Sequence, residues 1–130
     1  MKKSVLVLFA FFIVSACKKA PGEGGFATIT GKVYVKDYNP FFTLLNAEYY
    51  AQGQNVFIIY GDGPGVGNSV KTSYDGTFVF EFLRKGKYKV YSISKDSTSI
   101  TSNKTKEILV EVEITEKKQK VVLNDLVILD

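Results

Sequence analysis

From Phe26 to the C-terminus, apolar residues recur at every second position in short runs broken by glycine, proline, asparagine and aspartate. That is the pattern of half-buried β-strands. A first strand carries Ala27, Ile29, Val33 and Val35 on one face and Thr28, Thr30, Lys32 and Lys36 on the other. Val56–Tyr60 is a near-continuous apolar run, as in a central strand, and Val70–Ser73 is a short one. Thr77–Leu83 turns Phe78 and Phe80 inward, and Tyr88–Ser94 does the same with Tyr88 and Val90. Ile108, Val110, Val112 and Ile114 alternate with Glu107, Glu111 and Glu113, and Lys120–Leu129 closes a count of seven strands. No window shows a 3.6-residue period bounded by helix caps. The pattern predicts an all-β, seven-stranded sandwich over residues 26–130.

One segment departs from a bare scaffold. Tyr38–Gly53 holds Tyr38, Phe41, Phe42, Leu44, Leu45, Tyr49 and Tyr50, too many apolar groups for a solvated loop. Either it folds back to cap the core, or it offers a recognition patch. Soluble domains seldom expose apolar patches of that size, which favours the cap. Phe41 and Phe42 are expected to pack inward. Tyr49, Tyr50 and Tyr74 are expected near one tip, as a candidate binding patch for a partner protein or a glycan, because a phenol can contact a ligand with its ring while its hydroxyl stays wet. The absence of tryptophan weakens a sugar-stacking platform.

Ahead of Phe26 the pattern changes. Met1-Lys2-Lys3 is followed by an apolar run from Val5 to Val14, and then by Ser15, Ala16 and Cys17, the only cysteine. The run is far shorter than the ~20 residues needed to span a bilayer. This arrangement resembles a bacterial lipoprotein signal, which implies cleavage after residue 16 and a lipid on Cys17. Lys18–Gly25 carries no apolar pattern and reads as a flexible tether reaching at most about 28 Å, so 17–25 is assigned to the lipidated cysteine and tether. The chain resembles lipoproteins of Bacteroidota-type bacteria. Lys18, rather than aspartate, follows Cys17, which favours the outer membrane; no acidic run lies nearby, which favours its periplasmic face over the cell surface.

Within the sandwich, Thr72-Ser73-Tyr74-Asp75-Gly76-Thr77-Phe78-Val79-Phe80, followed by Leu83-Arg84-Lys85-Gly86-Lys87-Tyr88-Lys89-Val90-Tyr91, resembles the core motif of carboxypeptidase regulatory-like domains. The related transthyretin-like and collagen-adhesin B-type sandwiches, which are Ig-like in outline, share it. Asp75-Gly76 is read as a tight turn needing positive φ, and Gly86 as a second before Tyr88. The resemblance implies a fold and says little of function, since such modules serve as spacers, stalks and accessory domains. Some collagen-adhesin B-type domains form a Lys–Asn isopeptide bond. Here Lys32 or Lys36, Asn124 and Glu81 would have to supply it, yet both lysines fall on the polar phase of their strand.

The remaining chemistry is thin. The chain has no histidine, so no Ser-His-Asp or Cys-His arrangement and no histidine metal site can be built. Glu111 and Glu113 read as the solvated face of a strand. Gly61–Asn68 lacks the G-K-[ST] ending of a phosphate loop, and Asp62 alone brings too little charge for calcium. Removing Lys2 and Lys3 with the signal lowers the net charge from +4 to +2, far from that of a nucleic-acid binder. If consecutive strands alternate in direction, Gly61–Asn68, Arg84–Lys87 and Glu116–Gln119 share the membrane-proximal end. Arg84, Lys85, Lys87, Lys117 and Lys118 then either face headgroups or are simply solvated. The expectation is a non-catalytic binding or spacer module with no cofactor and no nucleic-acid partner. Its partners would be the membrane, through Cys17, and an envelope protein or a glycan; the alternative is a glycan-binding accessory of a surface uptake system.

Overall fold

The computed structural model describes residues 20–97 and 104–130. The segment expected to be a signal peptide, Cys17 and the first part of the expected tether lie outside them. The described residues form nine strands: β1 (Glu23–Tyr38), β2 (Leu45–Tyr50), β3 (Asn55–Tyr60), β4 (Asn68–Lys71), β5 (Thr77–Leu83), β6 (Gly86–Lys95), β7 (Thr105–Ile114), β8 (Lys120–Val122) and β9 (Leu126–Leu129). They make a five-stranded sheet built on β1 and a four-stranded sheet in the order β4-β3-β6-β7. The fold is the expected all-β sandwich, with nine strands where the alternation gave seven.

The two extra strands have one cause, the length of β1. Its first half pairs antiparallel with β5 and parallel with β8, its second half antiparallel with β2 and parallel with β9. At the changeover, the Val33 N–H donates to the Gly76 carbonyl at 3.0 Å and the Val33 carbonyl accepts the Ala51 N–H at 2.9 Å. A residue's N–H and C=O point to the same edge of its strand, so β5 and β2 lie end to end along one edge of β1. On the other edge, Lys120–Leu129, expected as one strand, breaks between Leu123 and Asp125 into β8 and β9.

The inward set is the one the alternation selected. Ala27, Ile29, Val33, Val35, Phe78, Phe80, Tyr88 and Val90 are buried, joined by Val56, Ile58, Val112, Ile114, Leu126 and Ile128. Among the described residues, the buried apolar side chains lie between Ala27 and Ile128, so a chain lacking the first 17 residues still contains the whole described core. Each such Val, Leu, Ile or Phe contributes roughly 1.5–3 kcal/mol by leaving water.

The tether ends earlier than its composition suggested. Pro21 packs on Gly61 and Gly86, Gly22 is buried beneath the Tyr60 ring, and β1 has begun by Glu23. Residues 21–25 therefore belong to the domain. The Arg84 N–H donates to the Gly22 carbonyl and the Thr28 N–H to the Gln119 carbonyl, both at 2.9 Å. The connections β3–β4, β5–β6 and β7–β8 thus surround the point where the chain enters, as alternating strand directions require. This is called the entry end below, and the opposite one the far end.

Candidate functional site

The second half of β1, with β2 and β9, shares the far end of the sandwich with the last residues of β6 and the first of β7. Between the sheets lies a cleft of about 350 Å³, walled by Tyr49, Gln52, Gln54, Lys95, Thr105 and Asp130, with Val35, Ala51 and Ile128 as its apolar floor. Two serines stand on the inward phase of β6. The Ser94 hydroxyl accepts the Leu129 N–H at 2.8 Å and donates to the Lys95 carbonyl at 2.9 Å, tying β6 to β9 across the cleft. The Ser92 hydroxyl donates to the Asn55 carbonyl at 2.8 Å and accepts from the Gln54 amide at 3.4 Å. Lys95 and Asp130 form an ion pair of 3.2 Å on the rim. Both are well exposed, so the pair adds little stability.

Such a cleft offers one aromatic ring, two carboxamides, hydroxyls and a charged pair over an apolar floor. It can hold a polar ligand with one hydrophobic face. It contains no histidine or thiol, and among the described residues no cluster of three or more metal-binding side chains forms anywhere.

The three tyrosines expected at one tip do not converge. Tyr49 and Tyr50 are consecutive in a strand and point to opposite faces. Tyr49 lines the cleft. Tyr50 lies on the outer face, edge-on to Tyr34 at 5.1 Å, beneath the Lys32 ammonium at 4.9 Å, with its hydroxyl donating to Asp125 at 2.9 Å. The hydrogen bond to Asp125 raises the Tyr50 phenol above its ordinary range, with the carboxylate's charge adding to it. Tyr74 is 82% exposed at the tip of the β4–β5 turn.

Nor does Tyr38–Gly53 cap the core. Phe41 is 64% exposed, against the expectation that it packs inward, and Phe42 is half-buried against Tyr38 with ring centres 6.0 Å apart. All six residues of β2 are exposed. The segment's apolar content is explained by its place beside a strand: β5 leaves the edge of β1 uncovered beyond Val33, and β2 fills it.

The β4–β5 turn beside Tyr50 is tightly fixed. Asp75 accepts the Ser73 hydroxyl at 2.6 Å and the Thr77 N–H at 3.1 Å, and these bonds, Ser73 first, hold its carboxyl down at about 2. Gly76 takes the positive φ the motif required, 84°, with Tyr50 and the Val33 carbonyl where a Cβ would sit. The alternative covalent chemistry has no geometry: Lys32 lies over Tyr50 on the outer face, Lys36 shares that phase of β1, and Glu81 and Asn124 are exposed.

The alternation gave no warning of an apolar row on the outward face of the second sheet. Phe57 and Tyr91 stack at 5.0 Å and 24°, and Leu109 is paired beside Tyr91. Toward the entry end this row meets Lys89 opposite Glu111 and Lys87 opposite Glu113. These two pairs balance each other, and the cleft of about 420 Å³ that they line with Asp62 is left with one carboxylate in excess.

No protein-family model matches the chain, and no curated protein is significantly similar to it. Among solved structures it is similar to a Pseudomonas aeruginosa protein given a candidate role in carbohydrate binding. The two share 18% identity over 85% of this chain and 93% of the other, with a TM-score of 0.48. That likeness carries no functional inference here.

Proposed function

We propose that this chain is a non-catalytic binding module of the bacterial outer envelope. It is held by a lipid on Cys17, on the periplasmic face of the outer membrane, and resembles Bacteroidota-type lipoproteins with a carboxypeptidase regulatory-like or transthyretin-like sandwich. The observation that carries the reading is the opposition of the two ends. The chain enters at one end, and the amphipathic cleft opens at the other, where an anchored domain presents it away from the bilayer. A cleft lined by Tyr49, Gln52 and Gln54 favours a glycan as the ligand: one ring to stack on a sugar face and amides to meet its hydroxyls. Carboxylates outside the cleft, such as Glu111 and Glu113, are exposed, and Asp75 is held ionised, which supports binding over acid–base chemistry.

Two measurements test this. Cys17→Ala should move the protein out of the detergent phase, since a diacyl cysteine supplies two buried chains; full retention with membranes would refute the anchor. Titration of envelope polysaccharides and their oligomers against the soluble domain should show saturable binding that Tyr49→Ala removes. Binding indifferent to Tyr49 would refute the cleft as the site.

A further inference from the structure

The entry end has features a bare turn cluster would not need. Phe26 is 60% and Phe82 65% exposed. Leu83 pairs with Ala27, so the two rings flank one rung of the β1–β5 ladder. Phe82 also holds a left-handed φ of 58°, a conformation strained for a bulky side chain. This strain falls beside the irregular register of β1 and β5, and backbone strain gathers at functional surfaces.

Cations surround these rings. The Lys117 ammonium lies 5.2 Å from the centre of the Phe26 ring. A cleft of about 400 Å³ beside it is lined by Gly24, Gly25, Phe26, Leu83, Arg84, Lys85 and Lys117. Gly24 and Gly25 sit where the β1–β5 register slips between Glu23 and Ala27. A Cβ on Gly24 would stand 2.7 Å from a guanidinium nitrogen of Arg84, and one on Gly25 would strike the Leu83 carbonyl. The glycines let the guanidinium lie against the backbone. Among the described residues, Nε of Arg84 is the buried side-chain polar atom that lacks a hydrogen-bond partner. Of the nearby acids, Glu23 is engaged by the Tyr60 hydroxyl and the Asn68 amide, and Glu116 lies beyond the cleft lining.

We propose that the entry end is a docking surface for an anionic bilayer. Phe26 and Phe82 enter the headgroup boundary, while Arg84, Lys85 and Lys117 receive lipid phosphate oxygens in the cleft. Exposed rings beside lysine and arginine are the composition of an interfacial anchor. Pro21, near the start of the described chain, also lies at this end, against Gly61 and Gly86. The inference deepens the anchored reading by giving the domain a fixed orientation, with the far-end cleft turned away from the membrane.

The test uses the lipid-free chain 18–130, which contains every described core residue, so that failure of the Cys17 anchor cannot be confused with failure of this surface. It should co-sediment with vesicles of phosphatidylethanolamine and phosphatidylglycerol and not with vesicles of phosphatidylcholine alone. Lys85→Ala and Lys117→Ala should each weaken binding about fivefold. Phe26→Ser should weaken it further, as should Phe82→Asn, which keeps the left-handed conformation. All four variants should retain the parent melting curve, because the side chains are exposed. The chain has no tryptophan, so Phe26→Trp supplies a single reporter whose emission should shift to the blue on anionic vesicles only. Absence of vesicle binding, binding unaffected by these substitutions, or full displacement by soluble glycerol phosphate would overturn the proposal, the last by showing a site for a free anion.

Discussion

The hydroxyl of Tyr88 accepts the N–H of Gly22, 66 positions away, at 2.9 Å, and donates to the Arg84 carbonyl at 2.7 Å. One phenol thereby fastens the chain's entry to the turn between β5 and β6. Its ring is buried, edge-on to Tyr60 at 5.9 Å, and burial raises its ionisation above the ordinary tyrosine range. Tyr88→Phe keeps the ring and leaves a buried N–H unmet, which should cost about 1–3 kcal/mol in urea melts and raise amide exchange at Gly22 selectively. Tyr88→Ala should cost about 3–5 kcal/mol. A loss below about 1 kcal/mol in the alanine variant would contradict the packing described.

Gly76 should be far less replaceable than Gly65. Its positive φ strains any side chain, and a Cβ there would stand 2.8 Å from Tyr50 and 3.0 Å from the Val33 carbonyl, at the junction of β5 with β2. Gly76→Ala should destabilise by more than about 1 kcal/mol. Gly65→Ala, with nothing within 4 Å and no positive φ, should stay within about 0.5 kcal/mol. Equal melts for the two would show that the turn yields.

The same turn carries a pH signature. Asp75 is held at about 2, below its ordinary value, by the Ser73 hydroxyl and by Thr77. A depressed carboxyl contributes stability that is full above its unfolded pKa, and that contribution is lost as pH falls through that value toward 2. Asp75→Asn should therefore flatten the acid limb of the stability curve in this window and leave its neutral plateau shifted by a constant amount. An unchanged acid limb would mean that the carboxylate is not held by these donors.

Tyr49 and Tyr50 should separate binding from stability. Tyr49→Ser removes a cleft wall and should abolish ligand capture with little change in melting. Tyr50→Ser loses the contacts to the half-buried Tyr34 and Lys32 and to the exposed Asp125, so it should lower stability by about 1 kcal/mol and leave capture intact. The reverse pattern, measured by titration and melts on both variants, would move the site to the outer face.

Period-two alternation was enough to select the inward side chains of β1, β5, β6 and β7, because strand geometry is local and every second side chain shares a face. The positive φ of Gly76 and of Gly86, at 142°, was legible in the same way, from turn chemistry alone. Strand pairing joins residues far apart in sequence, and there the local pattern stops. Nothing within Tyr38–Gly53 says that β5 runs short of β1 and leaves an edge to fill, so in the sequence an edge strand reads as a cap and Tyr49 groups with Tyr50. Ser92 and Ser94 carry a signal, hydroxyls on an inward phase, but the cleft that Ser94 lines exists only once β2, β6 and β9 meet. Composition likewise made Pro21–Gly25 a tether, because a glycine in a loose linker and a glycine under a ring or a guanidinium are the same residue. Only the approach of Tyr60, Arg84 and Leu83 distinguishes them, and that approach is made by the tertiary fold.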